Sequence, residues 1–266
     1  MLDLEFAQAS DPGRIRDHNE DYLGYVVPSS PAPLQTRGWL FVLADGVGGQ
    51  DRGEVASRTA VESLIAGFSR APDGESYFNL LPRLVKAANT KVFETGMATG
   101  PGGSSMATTM VTCAFRYDRM VVCHVGDSRC YLVRHRHAEA LTRDHTVTNE
   151  QVRMGLLSSR EAAESETRHL LSRSLGNAMF VNVDTRDHQV LPGDVLLLCS
   201  DGLHGAVTAG EMADVVFAHN NLEEAVRQLV NVANRKDGSD NISVQLIRIR
   251  SVERVGMYRG RPYKLA

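Results

Sequence analysis

Three acidic residues fall at the ends of apolar, strand-like runs. Asp45-Gly46 follows Trp39 to Ala44, Asp201-Gly202 follows Val195 to Ser200, and Asp240-Asn241 precedes the run that begins at Ile242. Carboxylates fixed at the ends of rigid strands suit a hard divalent cation, which takes oxygen ligands. A glycine beside one of them lets the backbone come close enough for its carbonyl to ligate as well. Each Asp-Gly pair taken alone is better read as a turn. If all three converged, carboxylates about 4 Å apart would repel by about 4 kcal/mol at an effective dielectric near 20. Such a cluster needs a cation, or raised pKa values, to persist. Upstream, the run RDHNED at 16–21 puts Arg16 beside Asn19, Glu20 and Asp21. An arginine there reads either as a surface ion pair of little worth or as a planar fork for phosphate oxygens.

The elements that would position these residues follow from hydrophobic periodicity. Trp39 to Ala44 reads as a buried strand between Gly38 and Asp45-Gly46. Val55, Val61, Leu64, Ile65 and Phe68 recur at helical spacing, as do Phe78, Leu81, Leu84, Val85, Ala88 and Val92, so two amphipathic helices follow. Thr108 to Phe115, Met120 to Val125 and Cys130 to Val133 read as short strands joined by tight turns. Thr146 to Arg168 is polar and helix-prone, with Thr148 and Gln151 spaced as a capping box. Val181 to Val190 and Val195 to Cys199 return to strand. Leu222 to Ala233 is helical, capped by Asn221, and Ile242 to Ile249 is a last strand. Pro28 to Pro33 and Gly96 to Ser105 read as connections, and the tail after Arg250 as a peripheral extension. Without regular βαβ alternation, the pattern predicts antiparallel sheets covered by helices.

Bulk properties bound the class. The 266 residues fit one domain, and 42% hydrophobic with 23% charged residues is a globular balance. A formal charge of −3 gives no general attraction to nucleic acid or to anionic membrane. Cys113, Cys123, Cys130 and Cys199 lie in apolar strand-like segments without CxxC spacing, so buried reduced thiols are expected. No apolar run approaches the length of a membrane span. These features together predict a cytoplasmic protein, and a monomer by default.

The ordered motifs resemble the metal-dependent protein phosphatase family, the protein phosphatase 2C type, in its compact bacterial branch. The matching segments are RDHNED at 16–21, LADGVGGQDRGEVAS at 43–57, SSMATTMV at 104–111, HVGDSRCYL at 124–132, LTRDHT at 141–146, LLLCSDGL at 196–203 and GSDNISV at 238–244. The resemblance implies an α+β fold, a four-layer αββα sandwich of two antiparallel sheets flanked by helix pairs. It implies a catalytic domain over 1–250, a flap at about 146–168 and an extension over 251–266. It also implies two Mn²⁺ or Mg²⁺ ions, with Asp45 bridging both and the Gly46 carbonyl on one. Asp201 and Asp240 would hold the other, Glu20 would act largely through water, and Asp127 would belong to a third, weaker site. Arg16 would hold the substrate phosphate, while Asp21 and Asn241 would orient the ligands. On this reading a water bridging the ions attacks phosphorus of phosphoserine or phosphothreonine.

One departure stands out. Many eukaryotic relatives carry histidine where this chain has Val47, and that histidine is credited with protonating the leaving group. A water on a metal or another residue must then supply the proton, and His145 and His204 are expected to be structural. The implied partners are phosphorylated proteins and a cognate serine/threonine kinase. The alternatives are a catalytically inactive member serving as a phosphoprotein-binding or scaffolding module, and a phosphatase acting on anti-sigma antagonist proteins. The acids Asp45, Asp201 and Asp240 argue against the first. A nucleotide-binding enzyme is disfavoured, because DGVGG lacks the lysine-bearing phosphate loop.

Overall fold

The computed structural model describes residues 2–28, 38–47, 52–72, 74–98, 106–252, 255–258 and 261–264. Much of the loop expected at Pro28 to Pro33, of the connection at Gly96 to Ser105, and the GGQD part of the 43–57 motif lie outside these residues.

Two five-stranded antiparallel sheets form the centre. One has the order β1 (Asp3–Asp11), β10 (Ile242–Ser251), β9 (Val195–Cys199), β6 (Arg129–Arg134), β7 (His137–Ala140). The other runs β2 (Asp21–Val26), β3 (Trp39–Asp45), β4 (Met110–Arg116), β5 (Arg119–Val125), β8 (Asp184–Gln189). Helices α1 (Gly53–Arg70) and α2 (Tyr77–Met97) cover the second sheet. Between β7 and β8 the chain forms α3 (Val147–Arg153) and α4 (Ser159–Glu164). After β9 come α5 (Asp201–His204), α6 (Ala209–Ala218) and α7 (Leu222–Lys236), of which α6 and α7 cover the first sheet. In the tail, β11 (Val255–Tyr258) pairs with β12 (Arg261–Lys264) as a separate antiparallel hairpin, an order that its weak periodicity did not predict.

The strand side chains alternate between two cores, which is why the runs read as continuously apolar. Leu40, Val42 and Ala44 of β3 face α1 and α2, whereas Trp39, Phe41 and Leu43 face the other sheet. Leu197 and Cys199 of β9 face α6 and α7, and Leu196 and Leu198 face inward. The inter-sheet core is aromatic where Phe41 meets Phe6 and Phe115, at ring-centre distances of 5.1 and 5.9 Å. All four cysteines are buried and free, as expected. No helix among the described residues is long and apolar enough to cross a membrane.

The expected elements are present with two shifts near the flap. The N-cap of α3 is Thr146, whose side chain accepts from Asn149 N–H at 3.3 Å, while Thr148 lies buried two residues further on, inside the first turn. The capping box falls instead on Ser158 and Glu161 at α4, where both reciprocal hydrogen bonds form. The strand expected from Val181 is shorter, starting at Asp184.

Phe41 is fully buried between the sheets, so its aromatic volume cannot be replaced by water. Phe41→Ala is expected to lower the unfolding free energy by about 3–5 kcal/mol, read from urea denaturation with metal present.

Candidate active site

Antiparallel pairing brings six acidic residues to one end of the molecule. Asp45 ends β3, and its register partner Asp21 begins β2, so both stand at the same edge of one sheet. β5 ends at Val125, opposite Met110 of β4, and Asp127 follows two residues later. In the other sheet Cys199 ends β9 beside β10, which begins at Ile242, so Asp201 and Asp240 flank the same edge. Glu20 precedes β2. No two of these segments are adjacent in sequence except Glu20 and Asp21, yet Arg16, Asp45, Gly46, Asp127, Asp201 and Asp240 line one cleft of about 420 Å³.

The backbone around Asp45 is fixed from both sides. Its N–H donates to the Thr109 hydroxyl at 3.0 Å, and its carbonyl accepts from Thr109 N–H and the Thr108 hydroxyl, each at 2.8 Å. Gly46 N–H donates to the Glu20 carbonyl at 3.1 Å. A side chain on Gly46 would meet the Gly53 backbone at 2.5 Å, so only glycine permits α1 to begin this close. Asn241 ties the arginine loop down: its side-chain oxygen accepts from Glu20 N–H at 2.8 Å, and its amide donates to the Pro12 and His18 carbonyls at 3.0 and 2.9 Å. Arg16 Nη2 donates to Asp240 Oδ2 at 2.9 Å, an exposed pair.

The electrostatics of the cluster are dominated by burial and like charge. Burial, then the charges of Asp21, Asp201, Asp127 and Asp240, push the Asp45 carboxyl well above the usual range. Burial and the Asp201 and Asp144 charges bring Asp127 up to about 8. Burial brings Asp21 up to about 7 against hydrogen bonds from Ser243 and Ser200, with Asp201 and Asp240 adding to the rise. Burial and Asp240 raise Asp201, and burial and Glu54 raise Glu20. Asp21 Oδ2 accepts from the Ser200 hydroxyl at 2.8 Å, but its buried Oδ1 has no hydrogen-bond partner.

His145 and His204 lie beside the site but are bound into its frame. Gly126 N–H donates to His145 Nδ1 at 3.1 Å, and His145 N–H donates to the Gly126 carbonyl at 3.0 Å. Gly126 has φ +100, and a Cβ there would meet Thr109 at 2.7 Å, so this grip needs glycine. His204 Nε2 donates to the Asp127 carbonyl at 3.0 Å. Burial pushes both imidazoles down to about 4, so each is held neutral. His124 stacks on His145 with ring centres 4.6 Å apart, and their nitrogens approach Asp184. A cation would compete there with Arg173, whose Nη1 lies 2.8 Å from Asp184 Oδ1 and 3.2 Å from His145 Nε2.

Residues that the motifs did not single out also line the cleft. His169, Leu170 and Leu171 do so from the end of the flap, beside Val47, which lines the cleft with no ionisable group. Asp127, His169 and Asp201 also border a second pocket of about 290 Å³ under α3 and α4, which contains the Arg129–Asp144 pair at 2.6 Å. His169 sits in a polar segment whose sequence carries no periodic or motif signal, so only the folded chain reveals its position.

This arrangement of acids, glycine and arginine can be compared with known proteins. The serine/threonine phosphatase stp of Listeria innocua is 33% identical over 258 residues, covering 95% of this chain and 96% of its own. The Streptococcus agalactiae serine/threonine phosphatase superposes with a TM-score of 0.84 at 29% identity, covering 92% of this chain and 99% of its own. The catalytic domain of the serine/threonine protein phosphatase PstP, in complex with two manganese ions, superposes with a TM-score of 0.76 at 29% identity, covering 94% of this chain and 99% of its own. A family model described as protein phosphatase 2C matches residues 17–246, and the chain belongs to that family.

Proposed function

We propose that this chain hydrolyses phosphoserine and phosphothreonine on proteins, at the cleft between the ends of the two sheets, with divalent cations held by the acidic cluster. The observation that carries this reading is the convergence of Asp45, Asp127, Asp201 and Asp240 with Arg16 on one cleft. The donor set fits hard cations: it is all oxygen, its carboxyls repel one another, and Asp21 Oδ1 is buried without a partner. The close backbone at Gly46 leaves its carbonyl the only donor that residue offers.

Asp45, the Gly46 carbonyl, Asp201 and Asp240 would hold two ions, Glu20 would act through water, and Asp127 would serve a third, weaker site. The two manganese ions bound by PstP support this count. Mn²⁺ or Mg²⁺ bound there would supply activated water for in-line attack and charge neutralisation on the phosphoryl oxygens. Arg16 swings on an exposed side chain, so it can leave Asp240 and present its fork to two phosphoryl oxygens. Thr108, Thr109 and Asn241 keep the ligands from splaying apart under repulsion. Ser200 keeps Asp21 facing inward. The partners would be phosphorylated proteins, and a serine/threonine kinase whose products this enzyme reverses; the working unit would be a cytoplasmic monomer.

Hydrolysis of p-nitrophenyl phosphate and of a phosphothreonine peptide should require Mn²⁺ and collapse in Asp201→Asn. Turnover by well-folded Asp201→Asn would reject this cleft as the site. Arg16→Lys should lower kcat/KM for the peptide by roughly tenfold or more, because a point charge replaces a bidentate contact.

The cluster also sets a pH dependence in the metal-free protein. Burial and neighbouring carboxylates bring Asp21 up to about 7 and Asp127 up to about 8, above the ordinary range of an aspartate, so the folded state binds more protons than the unfolded chain. Their contribution to stability is fully present below the unfolded pKa and is lost as pH rises through the folded pKa. Chelated protein should therefore lose thermal stability between about pH 4 and pH 8. Asp127→Asn should flatten that decline, and Mn²⁺ should abolish it. A chelated protein whose melting temperature rises across this window would contradict the charge arrangement.

A further inference from the structure

The leaving oxygen of phosphoserine or phosphothreonine is strongly basic and needs a proton as its bond to phosphorus breaks, yet Val47 cannot provide one. We propose that His169, at the end of the flap, is the general acid that protonates this oxygen. The inference rests on the cleft being the phosphatase site.

His169 is the only imidazole among the described residues that lines the cleft together with Arg16, Asp45 and Asp240. The two histidines suggested by the motifs are committed elsewhere, His145 through Nδ1 to Gly126 and His204 through Nε2 to Asp127. Their rings hold the Gly126–Asp127 turn from behind and are not free to give up a proton. The remaining polar groups from the flap side of the cleft, Ser174 and Asn177, are not acids at neutral pH.

The backbone that carries His169 is held on one side by the α3 start and on the other by a hydrogen-bonded turn. Leu170 C=O accepts from Val147 N–H at 2.8 Å, Leu171 bridges Thr146, and Ser172 N–H donates to the His145 carbonyl at 2.9 Å. Ahead of it, Ser165 to Leu170 form a turn closed by Leu170 N–H to the Thr167 carbonyl at 3.0 Å. The His169 side chain is exposed, so it is reachable by a bound substrate. It is also close enough to Asp201 for its charge to oppose part of the rise that burial and Asp240 impose on that carboxyl. His169 therefore lines, from the flap, the same cleft that Arg16 and Asp240 line from other segments. The assignment requires that a phosphoryl group bound at Arg16 turn its ester oxygen towards the imidazole.

The proton count closes with water as the only co-reactant. A water oxygen bonds to phosphorus while the bond from phosphorus to the serine or threonine oxygen breaks. The imidazolium N–H passes its proton to that oxygen, giving the neutral alcohol. The attacking water releases a proton to solvent, and the imidazole takes one back before the next turnover. Imidazole suits this cycle because it exchanges protons near neutral pH.

The test compares leaving groups on the Mn²⁺-loaded enzyme. p-Nitrophenolate departs without protonation, phenolate is more basic, and a threonine alkoxide is more basic still. In His169→Gln, turnover of a phosphothreonine peptide should fall by about 10²-fold or more while p-nitrophenyl phosphate stays within about threefold, with phenyl phosphate between them. Mn²⁺ affinity by calorimetry and the melting temperature should match the unaltered protein. Equal loss on all three substrates, or a loss of Mn²⁺ affinity, would overturn the assignment and make His169 a positioning residue. No loss on any substrate would overturn it too. His18→Gln is the parallel control, since His18 lies near Glu20; a graded leaving-group effect there, with none in His169→Gln, would assign the proton to His18. Asp201→Asn separates this from the site reading, because it should abolish all three activities.

Discussion

Carboxylates that repel one another are crowded into one end of this molecule, and most of its local structure can be read as the means of holding them there. At an effective dielectric near 20, each pair at about 4 Å costs about 4 kcal/mol. Asp45 feels the charges of four neighbours, Asp21, Asp127, Asp201 and Asp240. Side chains on flexible loops would simply move apart. Here the carboxylates sit at or within two residues of strand ends, and the strands are anchored by two sheets packed over a shared aromatic core. The stabilising burial and the destabilising charge are in different parts of the fold, which lets the core offset what the site costs.

The frame uses neutral donors where charged ones would cancel the site. Thr108 and Thr109 serve the Asp45 backbone, Ser200 serves Asp21, and Asn241 joins three backbone positions of the arginine-bearing loop between β1 and β2. The Thr109 hydroxyl also meets the Ser128 hydroxyl at 2.7 Å, which links the Asp45 strand end to the turn that carries Asp127. None of these groups adds positive charge that would compete with a cation for the carboxylates. Arg16 is the exception, and it lies on the exposed rim, paired with Asp240.

Histidines illustrate how one residue type is divided between frame and chemistry. His145 and His204 are neutral and committed by their ring nitrogens, because burial disfavours the imidazolium. His124 shares the stack with His145 and its Nε2 lies 2.7 Å from the Arg143 carbonyl. His169 is exposed on the cleft and, among the described residues, is not tied by its ring to the frame. The flap that carries it is tied at Thr146 and Leu171 yet borders the second pocket with α3 and α4. The flap therefore touches both the frame and the place where a protein substrate would approach.

The amino-acid sequence by itself determined the elements and most of the acids. Runs such as Trp39 to Ala44 and Val195 to Cys199 read as buried strands because both faces of each are covered, and Asn221 read as a cap because its side chain can serve only that helix start. Asp45, Asp201 and Asp240 were legible because each adjoins a strand and lies in a recognisable segment. The strand Asp3–Asp11 and the helix Ala209–Ala218 were not, since the alternation in one is weak and the other is short. The cap at Thr146 was misplaced by two residues because a hydroxyl at either position fits the local pattern, and only the path of the chain from His145 selects one. Tertiary structure alone decided that the acids share one cleft, that His145 and His204 face backbone rather than substrate, and that His169 reaches the site. Those facts depend on contacts between residues as many as 224 positions apart, as Arg16 and Asp240 are. Local periodicity carries no record of them, because it reports which face of an element is buried and not what lies across from it.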